Sequence, residues 1–221
     1  MSRERTAICK EQCNSSAASL RSARDAFRSD ASRSAQKTIP EMTATQAKNI
    51  FVTGLPGSGK TTFIMKLAED LRDYRPAGFF TEETRSHGAR TGFMLTSFDG
   101  RSTGVLARAD IRGPHRVGRY GVDLAGFERF LGTLRLFDPP PRLVIIDEIG
   151  RMECLSERFR GLVTALLAAP APFIATIAQR GDGFIGEVKR RPDILLHELT
   201  MRNRDALLPE IADLIRSLIM T

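Results

Sequence analysis

Apolar residues in this chain fall into short blocks that alternate between two periods. Ile50-Phe51-Val52, Leu143-Val144-Ile145-Ile146 and the run at 173–178 are brief, nearly continuous apolar stretches, which predict strands buried on both faces. Between them the spacing widens to three and four residues. Phe63, Ile64, Leu67, Ala68 and Leu71 share one helical face, as do Leu124, Phe127, Leu131 and Leu134 behind a capping Asp123. Pro139-Pro140-Pro141 marks where that second helix must stop. Ser156 opens a third helix, bearing Phe159, Leu162, Val163, Leu166 and Leu167. A short helix over 184–191, a strand over 193–199 and a helix from Asp205 bearing Leu208, Ile211, Ala212, Ile215, Leu218 and Ile219 complete the pattern. Strands alternating with helices predict an α/β fold, a mainly parallel sheet covered on both faces, with any ligand at the carboxyl ends of its strands.

One region breaks the alternation. Three strand-like runs, 78–85, 90–98 and 102–107, are separated by Ser86-His87-Gly88-Ala89 and by Asp99-Gly100, the latter a hairpin signal. They predict an antiparallel β-meander added to the sheet. Residues 109–121, interrupted by Gly113-Pro114, Gly118 and Gly121, are expected to be irregular.

The turn after the first strand carries the chemistry. Gly54-Leu55-Pro56-Gly57-Ser58-Gly59-Lys60-Thr61 follows a predicted strand and, with Thr62, opens a predicted helix. That context makes the pattern a phosphate loop. Its glycines let backbone N–H groups turn inward as an anion nest, continued by the helix N-terminus. Lys60 places a charge near the β- and γ-phosphates of a nucleotide, and Thr61 is left as a Mg²⁺ ligand. Asp147, closing a buried strand, is expected as the second metal residue. Glu148, the next carboxylate, is expected to activate an attacking water, a role that hydrolysis needs and metal binding does not.

Composition refines this picture in three places. The formal net charge is +7 and the sequence pI about 9.8, which suits a polyphosphate site and leaves nucleic-acid binding open. Seven arginines, Arg85, Arg90, Arg101, Arg108, Arg112, Arg116 and Arg119, face only Asp99 and Asp110 within 85–119. Arg116 and Arg119 in the glycine-rich loop, and Arg151 just past Glu148, are the candidates for a catalytic guanidinium. Thr176, inside the strand after Glu148, is the candidate γ-phosphate sensor, with Gln179 a weaker one. The third place is the first 47 residues. Positions 14–36 hold seven Ser, six Ala and four Arg with almost no large apolar residue, which predicts a disordered extension and a folded domain over 48–221. Acidic residues in it argue against a transit peptide. Cys9, Cys13 and Cys154, an odd number without a nearby histidine, predict reduced thiols in a cytoplasmic protein rather than disulfides or a zinc site. His87, His115 and His197 are scattered. No apolar run approaches the length of a membrane span.

Several blocks together resemble one family. Gly54–Thr62 by number 54–62, then Gly78-Phe79-Phe80-Thr81-Glu82-Glu83-Thr84-Arg85, Gly118-Arg119-Tyr120-Gly121-Val122-Asp123 and Asp147-Glu148-Ile149-Gly150-Arg151-Met152-Glu153 occur in order. Residues 173–177 and Asn203-Arg204-Asp205 follow. The series resembles the THEP1 family of nucleoside-triphosphatases over roughly residues 48–220. The Asp-Glu-Ile-Gly-x-Met-Glu block is its most specific part. The resemblance implies a single-domain P-loop fold of RecA-like type and slow, Mg²⁺-dependent hydrolysis of ATP, GTP and other nucleoside triphosphates to diphosphate and phosphate. A monomer is expected. Two other readings remain open from the residues. A small-molecule or nucleotide kinase would use the same loop, although 109–121 is short for a lid. A nucleotide-controlled RNA-binding module would use the arginines, although it lacks aromatic stacking residues. Asn203-Arg204-Asp205 lacks the Asn-Lys-x-Asp spacing of guanine-specific GTPases.

Overall fold

A computed structural model describes residues 47–220. The expected disordered extension, apart from Ala47, and the pair Cys9 and Cys13 lie outside the described residues.

The alternation of strand and helix appears as a nine-stranded sheet. Its parallel part holds β1 (Asn49–Thr53), β2 (Ala77–Ser86), β7 (Val144–Ile149), β8 (Phe173–Ile177) and β9 (Ile194–Glu198). The antiparallel extension holds β3 (Ala89–Ser97), β4 (Thr103–Arg108), β5 (Arg116–Val117) and β6 (Tyr120–Val122). The strands lie in the order β5-β6-β4-β3-β2-β7-β8-β1-β9. The expected P-loop α/β fold with an added meander is the fold found.

Both faces of the parallel strands are apolar, so period two divides one run between two cores. Ile50, Val52, Ile145 and Ile174 pack with α1 (Lys60–Asp70) and α5 (Arg204–Met220). Phe51, Ile146, Phe173 and Ala175 pack on the other face with α2 (Leu124–Leu131), α3 (Glu157–Ala168) and α4 (Phe184–Lys189). There Phe79 meets Phe127, Phe130 and Phe159 edge-on at 6.2, 5.6 and 6.3 Å, which fastens α2 and α3 to β2.

Three local expectations need correction. The helix after Asp123 ends at Leu131, with Gly132 as its cap, well before the prolines. Phe130 joins its buried face, while Leu134 lies beyond the helix and is only half-buried. Residues 109–121 are not wholly irregular. Gly118, with φ of 57°, turns a small hairpin whose β6 pairs with β4 from Ala107 to Val122. Only the tertiary pairing makes those few residues strands. Finally, β7 runs on through Asp147 and Glu148 to Ile149. The polar pair therefore lies one residue inside the strand's end rather than at it.

Candidate active site

The phosphate loop is shaped by backbone need. Gly57 and Gly59 take φ of 82° and 89°, the left-handed region that side chains resist. Gly54 packs against the exit of β9, where an added Cβ would lie 2.6 Å from the Leu199 carbonyl oxygen. Ser58 N–H closes the turn onto the Leu55 carbonyl at 3.1 Å. Among the described residues the Ser58 hydroxyl is buried without a hydrogen-bond partner. Helix α1 then begins with no side-chain cap and no acidic residue in its first turn. Its free N–H groups and positive dipole end are left for an anion.

Strand alternation carries the acids to this loop. Ile145 faces α1, so Asp147, two residues on, faces it too. The same period takes Thr176 to that side from Ile174. Ile146 pairs with Ala175, which brings Asp147 beside Thr176 on the neighbouring strand. The Thr61 hydroxyl donates to Asp147 Oδ2 at 2.6 Å, and the Thr176 hydroxyl donates to Oδ1. Thr81 on β2 donates to the Asp147 carbonyl at 2.8 Å. Asp147 is buried at 2% exposure, and burial raises its pKa against the pull of Thr176, Thr61 and the Lys60 charge.

Glu148 lines the same cleft and stays half-open to solvent. Its Oε2 lies 3.6 Å from Lys60 Nζ, and Lys60 also donates to the Gly54 carbonyl at 3.3 Å. Burial raises the Glu148 pKa, with the Lys60 charge working in the opposite direction. A second cation faces the same carboxylate. Lys189 on α4 donates to the Gln179 carbonyl at 2.8 Å, and its charge favours ionised Glu148. Burial lowers the pKa of Lys189.

A cleft of about 700 Å³ opens here, lined by Lys60, Thr61, Asp147 and Glu148 and by Pro56, Gly57, Gly59 and Thr62 of the loop. Gly54, Leu55 and Ser58 shape the loop from outside that lining. A cleft of about 760 Å³ among Arg72, Arg75, Phe80, Phe98 and Arg135 contains no phosphate-loop residue and neither Asp147 nor Glu148.

The arginines are distributed differently from expectation. Arg116 donates to the carbonyls of Ile111 and Arg119, at 3.3 and 2.8 Å, and Arg119 donates to the Arg90 carbonyl. Both are spent on holding the β5–β6 hairpin, and neither lines the cleft. Arg151 does line it, as does Arg90, which pairs with Glu83. Thr176 is fully buried, and its hydroxyl donates to Asp147. Gln179 donates to Glu198 at 3.2 Å. Asn203 is used to shape a turn, accepting from Thr200 N–H and donating to the Glu198 carbonyl, each at 2.8 Å.

Replacing Thr176 with valine keeps its shape and removes that donor. The variant is expected to unfold about 1.5–3 kcal/mol more easily, the usual value of a hydrogen bond to a charged group. Its affinity for a Mg²⁺-nucleotide should fall with it. Denaturant unfolding and nucleotide titration measure the two effects, and unchanged values would leave Thr176 as packing alone.

The model of the NTPase family matches residues 49–212. The nucleoside-triphosphatase THEP1 of Thermotoga sp. (strain RQ2) is 41% identical over 168 residues, covering 76% of this chain and 95% of the relative. This chain belongs to the THEP1 family. Two solved structures share its fold. The crystal structure of THEP1 from Aquifex aeolicus matches with a TM-score of 0.68 at 37% identity, covering 76% of this chain and 98% of that one. The solution structure of a human cancer-related nucleoside triphosphatase matches with a TM-score of 0.65 at 35% identity, over 77% and 98%. The THEP1-family match spans the phosphate loop, Asp147, Glu148 and the meander alike. Lys189 and Arg90 carry no motif by which sequence alone could have singled them out. Arg90 reaches the cleft from β3, and Lys189 comes to the Glu148 side from α4.

Proposed function

We propose that this chain hydrolyses nucleoside 5′-triphosphates, ATP and GTP among them, to the diphosphate and phosphate in a Mg²⁺-dependent reaction in which Glu148 activates the water. Its family makes it a nucleoside-triphosphatase. The finer reading rests on one observation, the ionic contact of Lys60 with Glu148 beside a separate carboxylate, Asp147, held by Thr61. Two acids in one cleft with different partners can take different roles. Lys60 and the loop N–H groups hold the phosphates. Glu148 faces the same charge as the γ-phosphate would, and can take the proton as water attacks phosphorus.

Thr61 and Asp147 supply the hard oxygen donors that Mg²⁺ prefers. Among the described residues no cluster of three or more His, Cys, Asp or Glu side chains gathers to cage a metal. Mg²⁺ at such sites needs none, because it keeps waters and takes phosphate oxygens as ligands. When bound it supplies charge neutralisation across the β- and γ-phosphates. Arg151 and Arg90, both lining the cleft, are the guanidiniums within the same space.

A panel of phosphate-release assays on ATP, GTP, CTP, UTP and their deoxy forms, with Mg²⁺ and with EDTA, tests this reading. Release from several bases, lost with EDTA, is the expected result. Transfer to an added nucleoside or nucleotide, with little free phosphate, would make the chain a kinase instead. Among the described residues no helix is long and apolar enough to cross a membrane.

A further inference from the structure

Asp147 and Glu153 are the two fully buried acids among the described residues, and the proposed reaction uses only the first. Glu153 begins a short 3₁₀ turn, Glu153–Leu155, just beyond β7. It is 5% exposed and lines the same cleft as Lys60 and Glu148. Gly150 stands between the two glutamates. A Cβ on it would lie 2.7 Å from Glu153 Oε2 and 3.0 Å from Glu148 Oε1. Both carboxyls therefore border one carbon-sized space, which the missing side chain leaves open.

Charge in this corner is unbalanced. Lys60 pairs with Glu148, and among the described residues no cation pairs with Glu153. The groups that face Glu153 from β7 are Glu148 and Asp147, both acidic. The N–H groups of Gly150 and of Glu153 itself donate to its carboxyl. Arg160 on α3 is turned to the Cys154 carbonyl at 3.0 Å. Burial is the largest influence, and with the Glu148 charge it pushes Glu153 up to about 8. An unpaired buried carboxyl takes up its proton rather than carry a charge.

We propose that Glu153 is a positioning residue of the hydrolytic centre, an uncharged carboxyl that faces Glu148 across Gly150 and leaves Glu148 as the anion turned to Lys60 and the phosphates. The proposal rests on the reading of Glu148 as the base. An ionised Glu153 would set a second negative charge against Glu148, raise the proton affinity of both, and repel the incoming triphosphate.

Two measurements on Glu153→Gln test it. The amide keeps the size and an acceptor for the two N–H donors but cannot ionise. The first uses no nucleotide. Unfolded Glu153 ionises near 4.5 and folded Glu153 near 8, so between those values the folded chain holds a proton that the unfolded chain has released. Stability from this group therefore falls as pH rises through that window, and levels off above it. Glu153→Gln lacks this fall. Its Tm should match wild type near pH 5 and exceed it by roughly 5–10 °C at pH 8.

The second measurement is the pH profile of hydrolysis, which a merely structural role would not move. Wild-type kcat/KM should decline about tenfold per pH unit above a limb near pH 8, as one ionisation requires. In Glu153→Gln that limb should be absent. A Tm difference that does not vary with pH overturns the uncharged state. A limb that persists in Glu153→Gln overturns the link to the reaction. Failure of the base reading looks different, because it shows as full turnover in Glu148→Gln whatever Glu153→Gln does.

Discussion

Lys60→Ala is expected to abolish nucleotide binding and hydrolysis together. The ammonium group, on a side chain only 12% exposed, is held by the Gly54 carbonyl at 3.3 Å and by Glu148 at 3.6 Å. It thus stands inside the loop that would wrap the phosphates, in a cleft where charge is screened less than in water. Its loss removes the point charge that offsets the negative charge on the β- and γ-phosphates. Catalytic electrostatic contacts of this kind are worth roughly 10³-fold or more in rate. A second effect adds to the first. The Lys60 charge is the main pull that lowers the Glu148 pKa against burial, so without it Glu148 holds its proton more tightly and is a poorer acceptor at neutral pH. The expected result is no nucleotide-dependent rise in Tm and no detectable phosphate release, with unfolding still cooperative. Wild-type turnover in a folded Lys60→Ala protein would overturn the phosphate-loop assignment itself.

Glu148→Gln should separate binding from chemistry. The side chain is half-buried, while Asp147 beside it is held by two hydroxyl donors and faces α1. The amide keeps the size of Glu148 and can still accept from Lys60, but it cannot take a proton. Mg²⁺-nucleotide affinity should stay within a fewfold of wild type while kcat falls by roughly 10²–10⁴, the usual value of a general base. Where product release limits the wild-type rate, the steady-state loss shrinks and single-turnover rates show the full effect. Asp147→Asn should behave otherwise. It alters the carboxylate that Thr61 and Thr176 both hold, so affinity for the Mg²⁺ complex and turnover should fall together. The reverse pattern, with affinity lost in Glu148→Gln and its single-turnover rate kept, would exchange the two roles. Full activity in Glu148→Gln would place water activation on another residue.

The sequence alone determined what depends on neighbours along the chain. The nearly continuous apolar runs at 50–52, 143–146 and 173–178 placed the buried strands, because a strand covered on both faces is apolar at every position. Helical spacing placed α1, α3 and α5, and Ser156 and Asp123 marked helix starts through hydrogen bonds to N–H groups three residues on. The phosphate loop was legible because its torsions require glycine locally. Tertiary structure alone decided which side chains share the cleft. Strand order inserts β8 between β1 and β7, and that crossover sets the Thr176 hydroxyl against Asp147. The arginines show the same limit, since a cluster counted along the chain says nothing of direction. Arg116 and Arg119 found backbone carbonyls in a hairpin, while Arg90 and Arg151 reached the cleft. Lys189 carries no local signal of its place, and Glu153, although it closes the most specific block, none of its burial. Their positions are set by how α4 and the turn after β7 pack on the sheet, and long-range packing of that kind has no period along the chain to read.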